Sequence, residues 1–216
     1  MRIKYLLPLI FLFFTIKSYS QIEVSAGMGL SYFFDSGLRD YVNEFTASNS
    51  LKTFNSEVEF FAEINLPPRN FFEWGVEYSY SIYSFQYDFG YSLYDLVLNS
   101  HRPSLIYYYV ISGSGYKLKF GGGVGLRLLQ FKEKLPYLSS YASHILIGWG
   151  FLFKASAFTT LGNNLFAVIT ANIRRDLPGT YTLANVKLFN NTDSSNGKIN
   201  FNSLSVGFLV GISYQF

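Results

Sequence analysis

The sequence predicts an all-β protein, an eight-stranded antiparallel up-and-down transmembrane β-barrel with its apolar face turned to lipid. Three observations predict it. Apolar and polar residues alternate with a period of two through eight separate stretches. Aromatic residues make up 20% of the 216-residue chain while charged residues fall to 14%, well below the ~25% usual in soluble domains. The connections between the stretches alternate short and long, which is the asymmetry of a barrel with tight turns on one rim and long loops on the other.

Ahead of the strands, residues 1–20 read as an export signal. Arg2 and Lys4 form a basic start, Leu6 to Ile16 an apolar run, and Ser18-Tyr19-Ser20 a small-x-small cleavage site before Gln21. The run is too short to cross a bilayer as a helix, so residues 21–216 are expected to be the mature barrel domain. Loss of the signal removes Arg2, Lys4 and Lys17, which brings the 17 basic residues down by three, level with the 14 acidic ones. A formally neutral mature chain offers nothing to attract nucleic acid. The absence of cysteine excludes disulfides, thiolate metal sites and a lipid-modified N-terminal Cys.

The predicted strands span 22–34, 55–66, 71–84, 102–112, 116–130, 142–158, 164–175 and 199–216. The first carries Gly27 and Gly29 on its polar face. The second sets Val58, Phe60, Ala62, Ile64 and Leu66 against Glu57, Glu59, Phe61, Glu63 and Asn65. In the third, Phe72, Trp74, Val76, Tyr78, Tyr80 and Ile82 oppose Glu73, Gly75, Glu77, Ser79 and Ser81. The fifth is the cleanest, with Phe120, Val124 and Leu126 opposite Lys119, Gly121, Gly123, Gly125 and Arg127. Gly148, Gly150 and Lys154 mark the polar face of the sixth. Ile106, Tyr108 and Val110 interrupt that face in the fourth strand, as Phe166 and Val168 do in the seventh. The eighth has Leu204, Val206, Phe208, Val210, Ile212, Tyr214 and Phe216 on one side.

Tight connections follow strands two, four and six (67–70, 113–115 and 162–164), and long ones follow strands one, three, five and seven (35–54, 85–101, 131–141 and 176–198). A soluble barrel with the same strands would have to hold the apolar faces inside. Roughly forty large apolar side chains exceed what the interior of eight strands accommodates, so those faces belong against lipid. The glycine-rich polar faces suit a narrow lumen.

In this pattern the chain resembles the small eight-stranded outer-membrane barrels of the OmpA-domain, OmpX-like and PorT-like kind, over essentially all of its mature length. The resemblance rests on the diffuse alternation and on the ending Gly211-Ile212-Ser213-Tyr214-Gln215-Phe216. It implies that Gly211, Ile212, Tyr214 and Phe216 form a signal for the outer-membrane assembly machinery. It also implies outer-membrane lipid as the surrounding medium and an extracellular or secretion-system protein as partner.

The lumen is expected to be plugged by charge pairs. Glu23, Glu57, Glu59, Glu63, Glu73 and Glu77 come from strands one to three, and Lys117, Lys119, Arg127, Lys154 and Arg174 from strands five to seven. Unpaired charge in so narrow a space is costly, so acids and bases should meet across the axis. Such a barrel works through its loops or rim in a structural, adhesive or secretion-accessory role, without cofactor or metal. Two alternatives remain: a lipid A-modifying enzyme and a narrow, porin-like channel or transporter. The enzyme would need His101 or His144. His144 is expected to point inward, away from a lipid-facing site with the adjacent Ser143, and His101 stands at the edge of the second long loop beside Arg102 and Ser104, so both read as polar rim residues. Trp74, Tyr78, Tyr80, Tyr107, Tyr109, Tyr116, Trp149 and Tyr214 are expected in aromatic girdles.

Overall fold

Alternating residues make ribbons with two unlike faces, and a ribbon closed on itself leaves no unpaired edge. The computed structural model, which describes residues 22–46, 56–67, 71–88, 90, 93–135, 140–182 and 198–216, shows such a closure. The expected export signal and most of the expected 176–198 connection, residues 183–197, lie outside these residues. The elements are β1 (Glu23–Phe34), α1 (Ser36–Thr46), β2 (Ser56–Asn65), β3 (Phe72–Asp88), β4 (Leu93–Gly113), β5 (Tyr116–Lys134), β6 (Ala142–Thr160), β7 (Leu165–Leu177), β8 (Thr180–Thr182), β9 (Lys198–Asn200) and β10 (Ser203–Gln215). Eight of them close in the order β1-β10-β7-β6-β5-β4-β3-β2, every pair antiparallel. β8 and β9 pair separately as a small hairpin.

The faces fall as the alternation predicts. Trp74, Phe120 and Phe208 point outward, 50%, 49% and 60% exposed, whereas Glu59, Lys119 and Arg127 are buried inside. No helix among the described residues is long and apolar enough to cross a membrane. The strands do so instead. At the ~40° tilt usual for such barrels, the outward apolar run Val24 to Phe34 rises ~25 Å along the axis, the height of a bilayer's hydrocarbon zone. On the rim that holds the tight turns, Phe72 stacks on Tyr107 with ring centroids 5.3 Å apart, and Trp74 meets the same ring at 4.7 Å.

Three expectations need correcting. β3 runs on to Asp88 and β4 begins at Leu93, so most of the expected 85–101 loop is a paired hairpin, with Phe85 opposite Leu96 and Tyr87 opposite Tyr94. The strict alternation of short and long connections fails there. β5 likewise continues to Lys134. Part of the expected first loop is α1, in which Leu38, Tyr41 and Val42 occupy the i, i+3, i+4 positions of one buried face. Asp35 caps that helix, its Oδ1 accepting from the Leu38 amide at 2.9 Å.

These additions close the loop-side mouth. Leu38, Tyr41 and Val42 of α1 pack with Tyr94, Leu96, Phe131, Leu146 and Phe201 in one buried apolar cluster. The barrel therefore carries an ordinary hydrophobic core stacked on top of its polar lumen.

Candidate functional site

Inside the wall, the charged residues gather in three linked groups. Nearest the turn-side rim, Lys119 Nζ lies 2.7 Å from Glu23 Oε1 and also pairs with Glu73, while Lys117 pairs with Glu23. At mid-height Lys154 bridges Glu63 and Glu77, the latter at 2.6 Å. Arg174 Nη2 bridges Glu77 and Glu59, both at 2.8 Å. Ser79 donates to Glu59 at 2.8 Å, and Ser31 donates to it as well. Above them Arg102 joins Glu57 and Asp176, both at 2.8 Å, and Arg127 also pairs with Asp176.

The eleven charged residues picked from the alternation thus all face the lumen and each has a partner of opposite sign. Sequence reasoning missed two members, Arg102 and Asp176. Arg102 is the first residue of the predicted 102–112 strand, directly before Pro103, which cannot donate to a ladder, and Asp176 lies one residue past the predicted end of its strand. Pairing of β4 with β5 does skip Arg102 and Pro103. Arg127 covers the gap, donating through Nη1 to the Leu126 carbonyl at 2.8 Å and to Ser104 Oγ at 3.1 Å.

The interrupting apolar residues fill the space between the charges. Ile106, Tyr108, Val110 and Leu152 form a buried cluster within the lumen. Tyr108 needs glycine on both neighbouring strands, because a Cβ at Gly121 would lie 2.4 Å from its ring and one at Gly75 would lie 2.9 Å from it. Two lysines rest over aromatic faces: Lys154 Nζ is 4.6 Å from the Phe61 ring and Lys119 Nζ is 4.9 Å from that of Phe158. A cavity of about 30 Å³, room for little more than a water, separates the upper charges from the apolar cap; Asp35, Arg102, Asp176 and Phe201 are among its walls.

Outside the membrane zone, the cap holds a second polar group. Tyr41 and Tyr94 both donate to Glu133 Oε1, at 2.6 and 2.8 Å. Burial pushes the Glu133 carboxyl above the usual carboxylate range despite those two bonds. Asp35 is lifted to about 6, again chiefly by burial.

The two histidines are far apart in role. His144 faces inward with its ring 6.2 Å from that of Phe131 in the cap. His101 faces outward, its Nδ1 2.6 Å from the Tyr78 hydroxyl and its ring 4.9 Å from Tyr80. No group of three or more His, Cys, Asp or Glu suited to a metal occurs among the described residues.

No protein-family model and no curated protein matches this sequence. Solved structures do match in fold. A major outer membrane protein from Thermus thermophilus superposes with a TM-score of 0.55 at 14% identity, covering 92% of this chain and 100% of that one. The attachment invasion locus protein Ail of Yersinia pestis, solved with the heparin analogue sucrose octasulfate, gives 0.54 at 12%, with 92% and 100% covered. The outer membrane protease OmpT of Escherichia coli gives 0.53 at 11%, with 91% and 97% covered. At these identities the likeness is one of fold. An attachment protein and a protease share it, so the fold is silent on chemistry.

Proposed function

We propose that this chain is an outer-membrane barrel closed to solute passage, without catalytic activity, whose working part is the capped extracellular rim. The observation that carries this is the double closure. Ion pairs occupy the lumen through most of its height, and α1 with the β3–β4 and β8–β9 hairpins seals the far mouth with an apolar core. A helix and two hairpins on a rigid cylinder make a platform for a protein partner, in adhesion or as a secretion accessory. The His101 environment supports the non-enzymatic reading, since its Nδ1 meets the Tyr78 hydroxyl on the outward face of the barrel.

In the same reading residues 1–20 are removed on export, the turn-side rim faces the periplasm, and the aromatic end of β10 (Gly211, Ile212, Tyr214 and Phe216) addresses the chain to the assembly machinery. Ile212, Tyr214 and Phe216 all point outward, where a receptor could read them. Planar-bilayer recording on protein whose folding is verified by its unheated gel mobility tests the closure. Silent membranes are expected; a steady conductance per inserted barrel would overturn it.

A further inference from the structure

Just above the apolar zone, the outward faces of β3 to β6 carry an unbroken polar row. Tyr80 donates to Asn99 at 3.3 Å, Asn99 to Gln130 at 3.5 Å, and Gln130 to Ser143 at 3.4 Å. These bonds cross four neighbouring strands, about 14 Å of circumference at ~4.8 Å per strand. They are long and partly exposed, so each is readily exchanged for a better partner. His101, fixed by Tyr78, stands at the same level.

Directly above lies positive charge. Lys132 and Lys134 follow Gln130 on the outward side of β5, ~7 and ~13 Å along the strand. Among the described residues neither forms an ion pair. Asp95 lies opposite Lys134 in the β4–β5 ladder but is buried and accepts from Tyr141 at 2.5 Å, whose ring lies 6.0 Å from Lys134 Nζ; Asp88 accepts from the Gly90 amide, and Glu133 turns inward to its two tyrosines. Directly below lies hydrocarbon-facing surface, including Ile145 and Ile147, each 67% exposed, with Ile145 paired to Gln130 across the β5–β6 ladder.

Cations, then sugar-sized hydrogen-bonding groups, then bare apolar surface follow one another down a single side of the barrel. We infer that this side is a docking surface for a phosphorylated, multiply acylated glycolipid of the outer leaflet. Lys132 and Lys134 meet its phosphates, the Asn99–Gln130–Ser143 row its sugar hydroxyls, and β6 its acyl chains. The width of the row argues for a disaccharide head group over the single phosphate of a phospholipid. The other half of the wall has no counterpart: its outward ends are Phe34 and Leu204, with Arg175 as the cation beside them.

The inference rests on the outer-membrane reading, and one experiment separates the two. Folded protein is inserted into phosphatidylcholine vesicles doped with bisphosphorylated lipid A, dephosphorylated lipid A or phosphatidylglycerol, and the lipid retained per barrel is counted by native mass spectrometry. The wild type should retain the bisphosphorylated glycolipid about tenfold better than either of the others, and Lys132→Gln with Lys134→Gln should lose about that factor. Asn99→Ala with Gln130→Ala should erase the preference over phosphatidylglycerol, and Arg175→Gln should change nothing. Equal retention of phosphatidylglycerol by the wild type, or undiminished retention by the double lysine variant, overturns the docking surface alone. A barrel that will not insert overturns the membrane reading and this surface with it.

Discussion

Along β3 the same backbone ribbon is wrapped in two opposite ways. From Phe72 to Ile82 the outward side chains are apolar or aromatic and the inward ones are Glu73, Gly75, Glu77, Ser79 and Ser81. From Tyr83 to Asp88 the order reverses: Tyr83, Phe85 and Tyr87 turn in and Ser84, Gln86 and Asp88 turn out. β5 reverses in the same way, with Lys119 and Arg127 inside below but Leu129 and Phe131 inside above. A strand has one period, yet the medium outside it decides which phase is stable. The level of reversal is the membrane boundary, and the two regions are held together by different physics.

Removing Arg174 should break the lower region most severely. Its side chain is 1% exposed and holds both Glu59 and Glu77, so Arg174→Leu leaves buried Glu59 with only its serine donors and takes one of the two cations from Glu77. A loss of about 3–5 kcal/mol is expected, read as a drop in the urea midpoint of the whole barrel in micelles. A shift under ~1 kcal/mol would mean that the lumen charges are solvated and the plug is not dry.

Truncating the cap should have a smaller and more local effect. Phe201 is buried against Phe131 with ring centroids 5.2 Å apart. Phe201→Ala should cost about 3 kcal/mol, confined to the cap. Amides of α1 would then exchange quickly while the unheated gel mobility of the barrel stays unchanged. Loss of that mobility would show the two regions to be one cooperative unit. Gly121→Val comes next, at about 1–3 kcal/mol, because its side chain would strike Tyr108; Tyr108→Ala in the same chain should restore much of the loss.

The membrane region was legible in the sequence because its greasy face has one stable destination. Each expected strand end at 84, 102 and 130 falls near the level where the phase reverses. The alternation continues past those points, but a search for an apolar outward face stops finding it. Phe85, Leu96 and Phe131 then look like irregular hydrophobics in a loop. α1 did carry a local signature, Asp35 followed by Leu38, Tyr41 and Val42, yet only the mouth of a closed barrel gives so short an apolar face something to cover. In the ion-pair network, residue types and faces could be read along each strand. The partner of each charge depended on the register between strands, which periodicity does not contain.

The finest test of the contrast uses pH, since only the cap carries an acid lifted into an accessible range outside the membrane zone. Burial raises the Asp35 carboxyl from 3.8 to about 6, opposed by the amides of Leu38 and Gly37 and by the charge of Arg175, and reinforced by Asp40. The closed cap therefore binds a proton that the opened cap releases across this interval. Cap stability should be greatest below about pH 4, fall as pH rises through about 6, and level off above it, a trend visible in the exchange protection of α1 after correction for intrinsic rates. Asp35→Asn keeps the helix cap and should flatten most of the slope. Glu133, raised by burial as well, contributes in the same direction, so the remainder should vanish when Glu133→Gln is added. Protection that is flat with pH in the wild type would mean that Asp35 is hydrated in the closed cap, and the small cavity beside it would then be continuous with bulk water.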